Sequence, residues 1–410
     1  MIDTQTASQI ILETALLRPS EEIKLTDATG RVLRENIYAD QDFPPFHRVM
    51  MDGIAIRYEA LSQGQSSFEI DGLQAAGDPQ MHLSNEDACL EVMTGAVLPK
   101  GTDTVVKVEW TAKKDNGKIE ILAEHINEVF EGQHVHDQAK DRSKGDLLIK
   151  EGRRISAVEV AIAASVGKHR VQVSQLPRIA VISTGNELVE ITENPETHQI
   201  RRSNVYALHS ALAQQGIKPN LYHLNDDAEE LKVSLDKILE EHDVLLLSGG
   251  VSKGKFDFLP EVFLKIGVEK LFHRIAQKPG KPFWFGKTKS NKVVFAFPGN
   301  PVSTFMCFCR YFTPWLQRSL GDLHHLHMQA GLEEDFILKK SDLTYFLQIK
   351  IRIDPNGQLM AIPLRGGGSG DHANLLHADG FMQLPPGKDV YREGEVYPVF
   401  LFRSFSNTVI

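Results

Sequence analysis

Only three cysteines, Cys89, Cys307 and Cys309, occur in 410 residues. No even disulfide framework can be built from them, and two residues spaced two apart on a helix point to different sides, so 307 and 309 make a poor metal pair. They read as buried apolar packing. Nowhere do about 18 consecutive apolar residues occur, which excludes a membrane-spanning helix. The opening stretch MIDTQTASQIILETALLRPS lacks the basic segment and apolar core of a secretory signal, so a cytoplasmic protein is expected. There is no surplus of positive charge either. A formal net charge of −9 provides no global field to draw in nucleic acid and leaves only a local basic pocket to hold an anionic ligand. Internal repeats and low-complexity tracts are also missing.

What is present is an ordinary globular composition, 42% hydrophobic and 24% charged, in a chain too long for one core; roughly two to four domains are expected. From Arg178 onward the pattern is regular. RIAVIS reads as a buried strand, and SNVYALHSALAQQG as its crossover helix, with Val205, Leu208 and Leu212 at helical spacing before Gly216. A strand near 221–224 leads to Asp227, a helix cap with Glu230 three residues on and Leu231, Leu235, Ile238 and Leu239 on one face. DVLLLS and KVVFAF are further continuous apolar strands, each followed by a Gly-containing loop. Such alternation predicts a mostly parallel sheet covered by helices. Before Arg178 short alternating strands (88–93, 104–108, 119–123) predict a β-rich region, joined on by SAVEVAIAASVG with its Ser156/Glu159 capping box and Gly167 stop. After Leu320 short strands with Pro and Gly turns predict a small β domain.

In an open parallel sheet ligands bind beyond the carboxyl ends of the strands. Three of the four strands run into STGNEL (Ser183, Thr184, Gly185), SGGVSKGKFDF (Ser248, Gly249, Gly250, Ser252, Gly254) and PGNPVS (Pro298, Gly299, Asn300, Pro301, Ser303). Each loop alone is weak evidence, but three on one edge predict a phosphate or other anion site. Glu187, Asp226 and Asp257 add carboxylates to that rim. Taken singly each reads as a surface pair, a cap or a turn residue; together they point to metal or substrate contact, since carboxylates facing a phosphate need a cation between them. Magnesium, or another divalent ion, is the natural candidate. RIAQKPGKPF gathers Arg274, Lys278 and Lys281 around a Pro-Gly turn, a compact cationic cluster suited to an oxyanion. Asp52 in MMDGIAIR and Thr94 in EVMTGAVLPKGTDTVV read, on physical grounds alone, as turn formers. His324, His325 and His327 read as surface linker residues.

Together these segments, with MDGIAIR, MTGAVLPKGTDTVV, IRRSNVYAL, KPGKPFWFG and the tail stretch GGGSGDHANLLHADGF, resemble the molybdopterin molybdenumtransferase family, MoeA in bacteria, which is similar to the gephyrin E domain. The resemblance covers nearly the whole chain. It implies an α/β multidomain fold: residues 1–25 as an N-terminal helix packing near the α/β domain, 26–44 with 147–176 as a linker or extended domain, 45–146 as a β-rich domain, 177–325 as the molybdopterin-binding three-layer α/β domain with a mostly parallel sheet, and 326–410 as a small C-terminal β-barrel-like domain. It also implies molybdenum cofactor biosynthesis, in which molybdate is inserted into adenylylated molybdopterin with metal-dependent release of AMP. A homodimer with a shared active site, and transient contact with the molybdopterin adenylyltransferase, come with it. By position in matching motifs, Asp52, Thr94, Asp141, Glu187, Asp226, Asp257, Arg274, Lys278 and Lys281 correspond to residues held important in the family, with Glu187, Asp226 and Asp257 assigned to the metal. No residue resembles a covalent nucleophile, so positioning and electrostatics carry the reaction.

The chain departs from the family pattern at His47 and Arg48, which replace an acidic residue and Asn, at Ala139 and Lys140, which replace a Gly-Glu pair, and at Asn374, where Ser is common. Arg274 stands where Lys is usual. The changes bear most on Asp141. The alternatives are a gephyrin-like scaffold, a molybdopterin-binding carrier without catalysis, and a generic nucleotide pyrophosphatase. Absence of a long disordered linker and retention of the charged rim speak against the scaffold.

Overall fold

The computed structural model describes residues 1–251, 258–323, 328–339 and 342–403. Asp257, Ser252 and Gly254, and the histidines at 324, 325 and 327, lie outside the described residues. The chain forms two compact units, one of Met1–Glu35, Glu151–Val160 and Arg170–Ile410, the other of Asn36–Lys150 and Ala161–His169. Among the described residues no helix is long and apolar enough to cross a membrane.

The first unit is built on a six-stranded sheet in the order Asn220–Leu224, Ile179–Thr184, Val244–Ser248, Val293–Phe297, Trp284–Thr288, Val268–His273. The first four strands are parallel and the last two antiparallel. Ile179–Thr184 and Val244–Ser248 are buried along their whole length, which is why they read as unbroken apolar runs. Alternate residues serve two cores: Ile179 and Val181 meet Val205, Leu208 and Leu212 of helix Asn204–Ala213, whereas Ala180 and Ile182 meet Leu231, Leu235 and Leu239 of helix Ala228–Glu241. Three layers result. Asp227 caps the second helix as expected, accepting from the N–H groups of Glu229 and Glu230 at 3.0 and 2.9 Å. The edge pair Val268–His273 and Trp284–Thr288 was not expected from the sequence.

The N-terminal helix Thr4–Glu13, capped by Asp3, sends Ala7 and Ile11 into the first of these cores. At the other end of the chain Thr344–Ile353, Leu359–Leu364, Gln329–Leu332, Val396–Leu401 and Gly380–Leu384 pair in sequence, and Gly380–Leu384 returns to Thr344–Ile353, closing a five-stranded barrel. Gln277–Lys278 adds to this barrel in parallel with Thr344–Tyr345, so the loop carrying Lys278 is tied to it. Helix Ala157–Ser165 begins at the expected capping box: Ser156 N–H donates to Glu159 Oε2 at 2.9 Å, the Ser156 hydroxyl to the same oxygen, and Gly167 follows with φ 73°. Cys307 is buried, as packing residues are.

The second unit carries a sheet in the order Thr104–Lys107, Gly53–Ile56, Ala88–Val92, Ser67–Gln74, Ile119–Ile121, Thr111–Lys113. Gly53 is forced by this packing. A Cβ there would stand 1.9 Å from the Val106 carbonyl oxygen of the neighbouring strand.

Candidate functional site

The turns that follow the parallel strands meet in one cleft of about 610 Å³ in the first unit. Thr184, Gly185 and Glu187 come from the end of the first strand, Asp226 from the end of the second, Gly249 and Gly250 from the third, and Pro298, Gly299, Asn300 and Ser303 from the fourth. Lys278 and Lys281 line it too, so two carboxylates and two ammonium groups share one wall.

The glycines work by closeness. Gly250 (φ 69°) and Gly249 (φ 107°) lie so near Thr184 that a Cβ at either would stand 2.9 and 3.0 Å from its hydroxyl oxygen. The Gly249 N–H donates to Phe297 O at 3.2 Å and the Gly185 N–H to Leu224 O at 3.4 Å. Those two amides therefore lash strand ends together at the cleft wall, where a bound ligand perturbs them without being bonded by them. Thr184 Oγ1 is one: buried, it finds no hydrogen-bond partner among the described residues, a cost of about 1–3 kcal/mol that a ligand atom can relieve.

Asn204 holds the turns in register. Its Nδ2 donates to Ser248 Oγ at 2.8 Å and to Gly299 O at 2.7 Å, joining the start of helix Asn204–Ala213 to two of the three loops. The Thr304 hydroxyl donates to Pro298 O at 2.5 Å. Asn300 Nδ2 donates to Ser369 Oγ at 2.6 Å, and Val302 N–H to Ser369 O at 3.1 Å, which brings the Gly-rich tail stretch onto the last turn. Asn204 lies within a motif matched by resemblance, yet neither its spacing nor its type marks it as a clamp.

Lys278 and Lys281 project from a loop clamped by a buried amide. Gln277, fully buried, donates to Gly280 O at 3.1 Å and accepts from the Tyr311 hydroxyl. Gly280 (φ 88°) is required beside it, since a Cβ would meet Gln277 Nε2 at 2.7 Å and Cys307 Sγ at 2.8 Å. The barrel completes the wall with Tyr345 and Gln348, residues the sequence reading passed over because strand alternation makes them look like barrel packing.

Of the other residues singled out, Ser183 is buried and its hydroxyl lies 3.0 Å from His223 Nδ1. Ser248 is buried under Asn204. Neither these nor Pro301 and Arg274 line the cleft. Arg274 sits at φ 78°, its N–H donating to Phe283 O at 2.8 Å. Among the described residues no three potential metal ligands gather; Glu187 and Asp226 share the cleft and Asp257 lies outside the described residues.

In the second unit Asp52 and Thr94 meet. Thr94 N–H and hydroxyl donate to Asp52 Oδ1 at 2.7 and 2.8 Å, and together they hold its carboxyl below the ordinary carboxylate range. Asp141 is fixed through its N–H, which donates to Phe43 O at 2.9 Å. The loop on either side of it is fastened by Asp42, which accepts from Lys144 N–H at 2.9 Å and Gln138 Nε2 at 2.8 Å. Ala139 there has φ 61°, a conformation that favours glycine. Strand Arg48–Val49 is common to both parts: Gly95 N–H, next to Thr94, donates to Val49 O at 2.9 Å, and the strand pairs with Val135–His136.

The chain matches the MoeA N-terminal region (domains I and II) over residues 2–167, the "Probable molybdopterin binding domain" over 180–318, and the MoeA C-terminal region (domain IV) over 329–402. A molybdopterin molybdenumtransferase of Synechocystis is 43% identical over 373 residues, covering 90% of this chain and 92% of the relative. That of Bacillus subtilis is 30% identical over 393 residues, covering 94% and 90%. A crystal structure of a molybdopterin biosynthesis MoeA protein from a Pyrococcus species superposes with a TM-score of 0.83 at 30% identity, covering 99% of this chain and 100% of that one. With three successive domain matches and relatives aligned over nine-tenths of its length, the chain belongs to the MoeA family of molybdopterin molybdenumtransferases.

Proposed function

We propose that this chain is a molybdopterin molybdotransferase of molybdenum cofactor biosynthesis, inserting molybdate into adenylylated molybdopterin with release of AMP. The observation that carries the reading is the single cleft in which three strand-end turns, Glu187, Asp226, Lys278 and Lys281 converge. Such a wall suits a ligand that is both phosphorylated and broad. The lysines supply positive charge for molybdate and phosphate oxygens, and the loop held by Gln277 keeps them from relaxing away from it. Thr184 supplies a hydroxyl that a ligand atom can satisfy.

A divalent ion fits the donor set. Magnesium takes oxygen ligands and is commonly held by one or two carboxylates with substrate phosphates completing its shell. Glu187 and Asp226 would hold it here, Asp257 being the third residue of the same reading, and when bound it neutralises phosphate charge. Arg274 would act through its charge on the loop below. Asp52, Thr94 and Asp141 would reach substrate as part of a homodimer with a shared active site, and transient contact with the molybdopterin adenylyltransferase would deliver the labile nucleotide. The scaffold alternative leaves the paired charges of the cleft without a use, and the carrier alternative leaves its carboxylates, Glu187 and Asp226, without one.

The test mixes purified chain with adenylylated molybdopterin, molybdate and magnesium and follows AMP. Release that requires both molybdate and the ion is expected. Hydrolysis of simple dinucleotides without molybdate would point to a pyrophosphatase, and binding without release to a carrier.

A further inference from the structure

Arg48 and His136 face each other across the antiparallel pair Arg48–Val49 and Val135–His136. Arg48 Nη2 lies 3.2 Å from His136 Nδ1, and His136 Nε2 lies 3.2 Å from Asp141 Oδ1. A guanidinium has donors only and a carboxylate acceptors only. In the neutral ring Nδ1 must therefore accept and Nε2 must carry the hydrogen, so one tautomer satisfies both contacts. The geometry points to His136 as a positioning residue: held as the Nε2–H tautomer by Arg48, it aims the Asp141 carboxylate.

Asp141 is exposed, with a side chain 58% accessible, whereas that of His136 is 18% accessible. The carboxylate thus keeps a face open to a ligand while its other side is held by a sheltered imidazole. Its backbone is fixed independently by the bond to Phe43, so His136 governs the direction of the side chain and not the course of the loop. A second histidine contact, His47 Nδ1 to Asp137 Oδ1 at 3.3 Å, fastens the neighbouring residue and leaves Asp141 to His136. This role rests on the transferase reading for its consequence in turnover, though not for the hydrogen-bond chain itself.

The test uses the full chain labelled with 15N-histidine, with the His136 signal among the 16 histidines assigned by its loss in His136→Gln. Long-range 15N–1H correlation is expected to give the Nε2–H pattern, and Arg48→Ala to replace it with mixed tautomers. In the AMP-release assay His136→Leu is expected to lower turnover roughly tenfold or more without a change in melting temperature. His136→Gln, whose Nε2 amide can donate where the ring Nε2–H does, should recover most of that loss. An Nδ1–H or mixed pattern in the unaltered chain overturns the proposal, as does full turnover by His136→Leu. If the unaltered chain releases no AMP, the transferase reading fails, and the tautomer pattern alone decides the Arg48–His136–Asp141 chain.

Discussion

The cleft of the first unit and the Asp52–Asp141 region of the second are both polar, yet they are held by different means. In the cleft the backbone itself is the scaffold: strand ends are bonded to one another, glycines bring main chain against Thr184, and a buried glutamine locks the loop that carries the lysines. In the second unit side chains at the surface hold one another, exposed Thr94 on exposed Asp52 and half-buried His136 on exposed Asp141, around one short strand. The difference teaches where a substitution will register. Backbone-built geometry fails through strain and takes stability with it, whereas exposed side-chain contacts contribute little to stability and act mainly on orientation.

The largest effect is expected for Lys278→Ala, which removes fixed positive charge from the cleft without disturbing Gln277. AMP release should fall by about 100-fold to 1,000-fold, with the melting temperature unchanged. Gly250→Ala comes next. It adds a Cβ 2.6 Å from Leu259 Cδ1 at a left-handed residue, and urea unfolding should show a loss of about 2 kcal/mol together with weaker nucleotide binding. Thr94→Val is the matching probe of the second unit and should shift the urea midpoint far less than Gly250→Ala does, because the contact it breaks is exposed to water. Equal destabilisation by the two substitutions would erase the contrast.

Thr94→Val also has a pH signature. The N–H and hydroxyl of Thr94 keep the Asp52 carboxyl below its ordinary value of 3.8. A depressed folded value means that the contact stabilises above the unfolded pKa and that this contribution is lost as pH falls through the folded one. Without the hydroxyl the Asp52 midpoint should move up towards the ordinary value, as followed by carbon-13 NMR of the carboxyl. The smallest effect is expected for Ala139→Gly, which relieves a left-handed alanine. It should raise stability by about 0.5–1 kcal/mol, measured by thermal unfolding, and leave Asp141 in place.

The same contrast explains what the sequence made legible. The three inner parallel strands show themselves because burial on both faces leaves them almost wholly apolar, and the helices because Val205, Leu208 and Leu212, or Leu231, Leu235 and Leu239, recur at helical spacing. Turns after such strands follow from topology, so the cleft could be expected before it was seen. Val268–His273 could not: VEKLFH carries charges at its edge position and lacks the apolar continuity of its neighbours. Gln277, Asn204 and Gln348 were invisible because a polar residue that serves a buried contact has the same letter as one that meets solvent. Asp52 and Asp141 gave no physical signal of their own. Thr94 is brought to Asp52 by cross-strand register and His136 to Asp141 by the short turn between them, and only family resemblance set the two aspartates apart.

The most direct test of the cleft is titration of the isotope-labelled chain with adenylylated molybdopterin and magnesium, read by amide NMR. Gly185, Gly249, Gly250 and Gly299 are predicted to shift together along one saturation curve, and that curve should weaken in Lys278→Ala. Saturation that leaves these four amides unmoved, with shifts confined to other surfaces, would contradict the account.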